Sequence, residues 1–122
     1  MQLLWISLLG VAGILTRFGL DTWAGRLVPA FPVGTFAINV AGSALAGFLF
    51  TWSGQGRLAP AATTALLVGF CGGFTTFSAY SLQTLNLFEK GQTGWALAYF
   101  CLSPALGLMA AFAGASVAKG LG

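Results

Sequence analysis

Four long stretches of this chain, residues 1–16, 27–56, 58–88 and 91–118, hold no charged side chain. The last three each exceed the roughly 20 residues with which a helix crosses a hydrocarbon core of about 30 Å. The first is slightly short, but Arg17 at its end can lay its stem along apolar surface and keep its head in water. Turn signals between the stretches predict four membrane-crossing helices. The first covers about residues 3–20, and a loop holding Pro29 and Pro32 follows over 21–33. The second covers about 34–52 and ends at Ser53-Gly54-Gln55-Gly56-Arg57, a strong loop signal. Pro60 suits the first turn of a third helix, which reaches about residue 86. Glu89-Lys90-Gly91 then turns the chain into a fourth, about 93–118. The apolar N-terminus lacks the basic region and small-residue cleavage site of a secretory signal, so it reads as the start of the first helix. Trp5, Trp23, Trp52 and Trp95 each fall near a predicted helix end, where amphipathic rings settle at the interface. The reading is an all-α membrane protein, one four-helix domain over residues 1–122, with both termini on one side.

Composition sharpens this by exclusion. Hydrophobic residues make up 57% of the chain and charged residues 6%, where a water-soluble domain carries about a quarter. Five basic residues, two acidic ones and no histidine give a net charge of +3. Without histidine there is no Ser-His-Asp triad, no His-ligated zinc and no imidazole proton shuttle. Asp21 and Glu89 lie in separate flanking segments, which disfavours a paired-carboxylate site. The basic residues never cluster, so there is no nucleic-acid footprint. Cys71 and Cys101 sit inside apolar stretches and read as small hydrophobes rather than a disulfide. The chain does not read as an enzyme.

Charge placement bears on orientation. One set of loops receives Arg26 and Lys90, with Arg17 at its edge; the other receives Arg57 and Lys119. Positive residues normally gather on the cytoplasmic side, and here the bias is close to none. The chain can therefore insert both ways round and pair with an inverted copy, or Arg17 and Arg26 can suffice for one orientation. Small residues recur four apart at Gly69 and Gly73, Ser43 and Gly47, and Ala110 and Gly114. Such faces allow close helix contact, which serves either packing within one chain or a homodimer.

Candidate chemistry lies in the polar positions of the spans. Thr35, Asn39 and Ser43 share one face of the second helix. Asn39 either glues helices together or hydrogen-bonds a permeating ion. In the third helix, Gly72-Gly73 and Thr75-Thr76 weaken the helix near mid-membrane. A break there frees backbone groups that protein, water or an ion must satisfy. Beyond it, Phe77 and Tyr80 share a face, with Ser78 and Ser81 alongside. Ring edges carry the positive part of the aromatic quadrupole and can lie against an anion. The fourth helix repeats the four-residue spacing with Tyr99, Ser103 and Gly107, and Pro104 is placed to kink it. Every one of these polar side chains is a neutral donor. A proton-coupled pump needs a titratable group in the membrane and an acidic-lined cation path needs carboxylates. Hydroxyls, an amide and ring edges instead suit a small desolvated anion. Arg17 either raises anion concentration at a mouth or anchors the interface beside Asp21.

The run Gly69-Phe70-Cys71-Gly72-Gly73-Phe74-Thr75-Thr76-Phe77-Ser78 resembles the most specific signature of the Fluc (CrcB-like) fluoride channel family. The run from Gly34 to Ser43 resembles its second motif, and Gly13 through Arg17-Phe18, more loosely, its first. The resemblance covers nearly the whole chain. It implies an antiparallel, dual-topology homodimer in the cytoplasmic (inner) membrane, with two fluoride pores. It also implies a structural Na⁺ at the dimer centre, held by the main-chain carbonyls of Gly72 and Thr75. It places Asn39, Phe77, Tyr80, Tyr99 and Ser103 along the pore, with Thr76 and Ser78 as further candidates and Arg17 in the vestibule. Tyr80 departs from the pattern, where phenylalanine is usual. The function implied is passive exit of cytoplasmic fluoride. Two other readings compete: a small four-helix multidrug-type exchanger, which needs a carboxylate that residues 1–20 lack, and a non-transporting membrane assembly subunit.

Overall fold

The computed structural model describes residues 1–122 and is entirely helical. Four helical segments are long and apolar enough to cross a membrane: Gln2–Leu27, Val33–Gly54, Pro60–Glu89 and Thr93–Leu121. They are the first to fourth spans below, and the chain is a multi-pass membrane protein. Only 18 of 122 residues are buried, and leucine, phenylalanine and tryptophan side chains cover the outside. Water would not tolerate that surface, whereas lipid tails are as apolar as the side chains they meet.

The first span runs about two turns past its expected end. Prolines and charges beyond residue 20 suggested a loop, yet nothing between Asp21 and Leu27 breaks a helix except the tolerable Gly25. The helix stops at Val28, with φ −134° and ψ 79°, because the ring of Pro29 pushes the preceding residue out of the α region. Asp21 therefore lies on a helix rather than in a loop.

The third span is built from four pieces. Pro60–Thr64 is α-helical with Pro60 at its start, Ala65–Cys71 is π-helical and Gly72–Phe74 is α-helical. Thr75 and Thr76 then take extended backbone, at φ −89°, ψ 155° and φ −149°, ψ 122°, before Phe77–Glu89 resumes the helix. The two glycines remain helical, so the chain leaves the helix at the threonines. The Thr75 hydroxyl donates to the Cys71 carbonyl at 2.8 Å, a local bond that competes with the helical ladder. Thr76 acts as an N-cap, its hydroxyl accepting from the Ala79 N–H at 3.3 Å.

The small-residue faces are used within the chain. An added Cβ at Gly69 or Gly73 would fall on the backbone of Ile6 or Gly10 in the first span. One at Gly47 or Gly114 would fall on the backbone of Ala111 or Ala44, where the second and fourth spans pack most extensively. These glycines bring backbones together within the chain. At one end, the Arg57 guanidinium lies over the Trp52 ring at 5.0 Å and donates to the Gly122 carbonyl, so the second loop sits beside the C-terminus. Cys71 is buried, Cys101 is exposed, and both are free thiols.

Candidate ion pathway

The second, third and fourth spans line an open cavity of about 510 Å³. Asn39, Thr75, Thr76, Phe77, Tyr80 and Ser103 all stand on its wall, so side chains from three spans meet at the third-span break. Phe77 is 80% exposed, with its ring tilted on Tyr80 at a centroid distance of 5.7 Å.

Asn39 clamps the break. Its Oδ1 accepts from the Thr76 N–H at 2.9 Å and its Nδ2 donates to the Thr76 carbonyl at 3.2 Å. A side-chain amide has two N–H donors, so one remains for the cavity. The interhelical and ion-facing roles are therefore compatible in one side chain. This clamp also decides where backbone carbonyls go. The Thr76 N–H is spent on Asn39, so it does not return to the Gly72 carbonyl. The Ala79 N–H is taken by the Thr76 hydroxyl, so no backbone donor reaches the Thr75 carbonyl. The Gly73 carbonyl, freed in the same way, accepts from Arg17 Nε at 3.2 Å. Arg17 thus braces the broken helix from the first span, and it is neither on the cavity wall nor engaged with Asp21.

Ser103 presents the one buried side-chain polar atom without a partner, its Oγ. A buried hydroxyl in that state costs stability. Tyr80 is anchored differently. Pro104 has no N–H for the Phe100 carbonyl one turn back, and the Tyr80 hydroxyl donates to that carbonyl at 2.5 Å. The extra polar tip on this ring therefore satisfies the fourth span and leaves the ring body at the cavity.

Two residues expected along the pore do not line this cavity. Ser78 is exposed off the wall, its hydroxyl 3.4 Å from that of Thr76. Tyr99 is 1% exposed and lies behind the wall, packed on Tyr80 and Phe31. Its hydroxyl enters a network that the sequence reading did not single out. Tyr99 donates to Gln83 Oε1 at 2.7 Å, Gln83 Nε2 donates to Thr35 Oγ1 at 2.8 Å, and Thr35 donates to Asp21 Oδ1 at 3.1 Å. One signal for Gln83 was present: an amide among Leu82, Thr84 and Leu85 needs a buried partner as much as Asn39 does.

The family described as CrcB-like protein, Camphor Resistance (CrcB), matches residues 4–115 of the chain. The fluoride-specific ion channel FluC of Paracoccus denitrificans is 43% identical over 119 residues, which covers 95% of this chain and 93% of that protein. The protein of the same name from Acidobacterium capsulatum is 42% identical over 116 residues, covering 93% of each. A third, from Gloeobacter violaceus, is 43% identical over 116 residues, covering 92% of this chain and 91% of its own. With its four spans and a family match from residue 4 to residue 115, this chain belongs to the CrcB-like family.

Proposed function

We propose that this protein is a fluoride-selective passive channel, not an enzyme, which lets cytoplasmic fluoride leave across the bacterial inner membrane. The carrying observation is the cavity wall. It joins a partnerless buried hydroxyl of Ser103, a spare Asn39 amide hydrogen and the uncovered ring of Phe77 in one neutral, donor-rich space. The names of the relatives supply the anion. A small anion gives up a tight hydration shell, and short donors with close ring edges would replace it. A negative-inside potential favours anion exit by about 2.3 kcal/mol per 100 mV, roughly fifty-fold in concentration, so no pump is needed.

The functional unit in this reading is an antiparallel homodimer with two pores. The open ring of Phe77 and exposed Gly72 support it, as surfaces a second copy would cover. The carbonyls of Gly72 and Thr75, both without backbone donors, fit a structural Na⁺. No group of three or more Cys, Asp or Glu side chains could hold a metal instead. Two carbonyls per protomer are too few to replace a hydration shell, and two protomers would bring four. A bound Na⁺ would supply fixed positive charge at the junction of the broken helices. Purified protein in liposomes tests the function: rapid fluoride efflux with chloride retained is expected, and equal flux of the two sinks the selectivity. Assembly in a bulky organic cation in place of Na⁺ is expected to yield monomers; unaltered dimers and flux would remove the cation from the account.

A further inference from the structure

The chain Tyr99–Gln83–Thr35–Asp21 connects all four spans and runs between two cavities. Ser103, one turn from Tyr99 on the fourth span, lines the cavity at the third-span break. Asp21 and Gln83 line a second one of about 240 Å³ at the loop end, together with Asn86 and Lys90. Tyr99 and Thr35, each 1% exposed, have no water to fall back on, so the chain is the polar link through an otherwise apolar stretch.

Its direction follows from chemical inventory. A carboxylate only accepts, so Thr35 must donate to Asp21. A hydroxyl has one hydrogen, so Thr35 Oγ1 must accept from Gln83, which turns the Gln83 amide nitrogen toward Thr35. Gln83 then shows its carbonyl oxygen to Tyr99, and Tyr99 must donate to it. Three donors in series point at Asp21. The Tyr99 oxygen therefore offers only lone pairs on its other sides, and an anion arriving from Ser103 meets an acceptor where it needs a donor. If the Gln83 amide turns end for end, its nitrogen donates to Tyr99, Thr35 donates to Gln83, and the Tyr99 hydrogen is released toward the anion. That reversal takes the donor away from Asp21.

From this we infer that Asp21 sets the direction of the chain. Asp21, Thr35 and Gln83 are then positioning residues that tune how strongly Tyr99 receives a small anion. The inference rests on the channel reading above and deepens it. An anion in the pore and the Asp21 carboxylate compete for the same set of hydrogens, because only one end of the chain can be served at a time.

Fluoride flux through reconstituted protein, measured over graded fluoride concentration, tests it. Asp21→Asn allows either direction, since an amide both donates and accepts. The half-saturating fluoride concentration is expected to fall about fivefold, the equivalent of one net hydrogen bond of ~1 kcal/mol. Thr35→Val keeps the carboxylate but cuts the chain, and the same fall is expected. In a Tyr99→Phe background neither change is expected to shift it, because no hydroxyl remains to be released. A fall with Asp21→Asn alone, fading at high ionic strength, would mean that Asp21 acts as a plain surface charge, and the inference would be overturned. It would also be overturned if both variants matched a conducting wild type. A wild type that carries no fluoride would remove the channel reading and this inference with it. Should Asp21→Asn fail to assemble, Thr35→Val with and without Tyr99→Phe decides the matter alone.

Discussion

Tyr80 and Ser103 show two ways in which a polar group is handled inside these spans. Pro104 takes an N–H from the helix, and Tyr80 returns a donor to the Phe100 carbonyl that lost it. Tyr80→Phe is expected to lower stability by about 1 kcal/mol, the net worth of one hydrogen bond. In the Pro104→Ala background the cost is expected to vanish, because an alanine there gives the Phe100 carbonyl back its backbone N–H. Thermal unfolding of the four proteins in detergent measures this, and a Tyr80→Phe cost that survives Pro104→Ala would show that the hydroxyl does something else. Ser103 has no such partner. Ser103→Ala is expected to keep or raise the melting temperature while fluoride flux drops by about tenfold, or ~1.4 kcal/mol in the barrier. A variant that lost both would place Ser103 in the packing rather than in the path.

Among the elements, the third span has the most to explain, because backbone leaves the helix inside the membrane. The break persists because its polar groups are met one by one. Asn39 takes both groups of Thr76, Arg17 takes the Gly73 carbonyl and the Thr76 hydroxyl caps the next helix. Thr76→Val is expected to cost about 1 kcal/mol by removing the cap, with faster amide hydrogen exchange over residues 77–79. Thr76→Ser is expected to preserve both. Unchanged exchange in Thr76→Val would mean that the Asn39 clamp alone holds the second half of the span. The position of the break was legible in the adjacent threonines, whose local hydrogen bonding opposes helix. That Gly72 and Gly73 stay helical was not legible. It depends on Gly73 packing against Gly10, a contact made across two spans.

For the whole molecule, the near balance of loop charge is the main determinant of orientation. Arg26 and Lys90 belong to one end, and Arg57 and Lys119 to the other. Replacing Arg26 and Lys90 by glutamine is expected to fix one orientation, with the Arg57 end cytoplasmic. If an antiparallel pair is the conducting form, that variant alone is expected to carry almost no fluoride. Co-expression with a copy lacking Arg57 and Lys119 is expected to restore flux. Cysteine-accessibility labelling of the loops reports orientation independently. Full flux from a protein of proven single orientation would rule out the antiparallel pair.

The sequence by itself determined the number of spans, the loops, the break and most of the cavity wall. Each follows from local physics: charge-free length, turn residues, and the cost of placing Asn39 or paired threonines in lipid. It overran the first loop, because nearby charges and prolines looked like a boundary when only Pro29 was one. The tertiary structure decided which polar groups are spent and which are spare. Thr35 meets Asp21 from 14 positions away, Gln83 meets Thr35 from 48, and Asn39 meets Thr76 from 37. A hydrogen bond is a property of a pair, and in these spans the pairs are set by helix packing rather than by spacing along the chain. For that reason the hydrogen-bonded chain from Tyr99 through Gln83 and Thr35 to Asp21, and the unpartnered Ser103 hydroxyl, emerge only once the four helices are together.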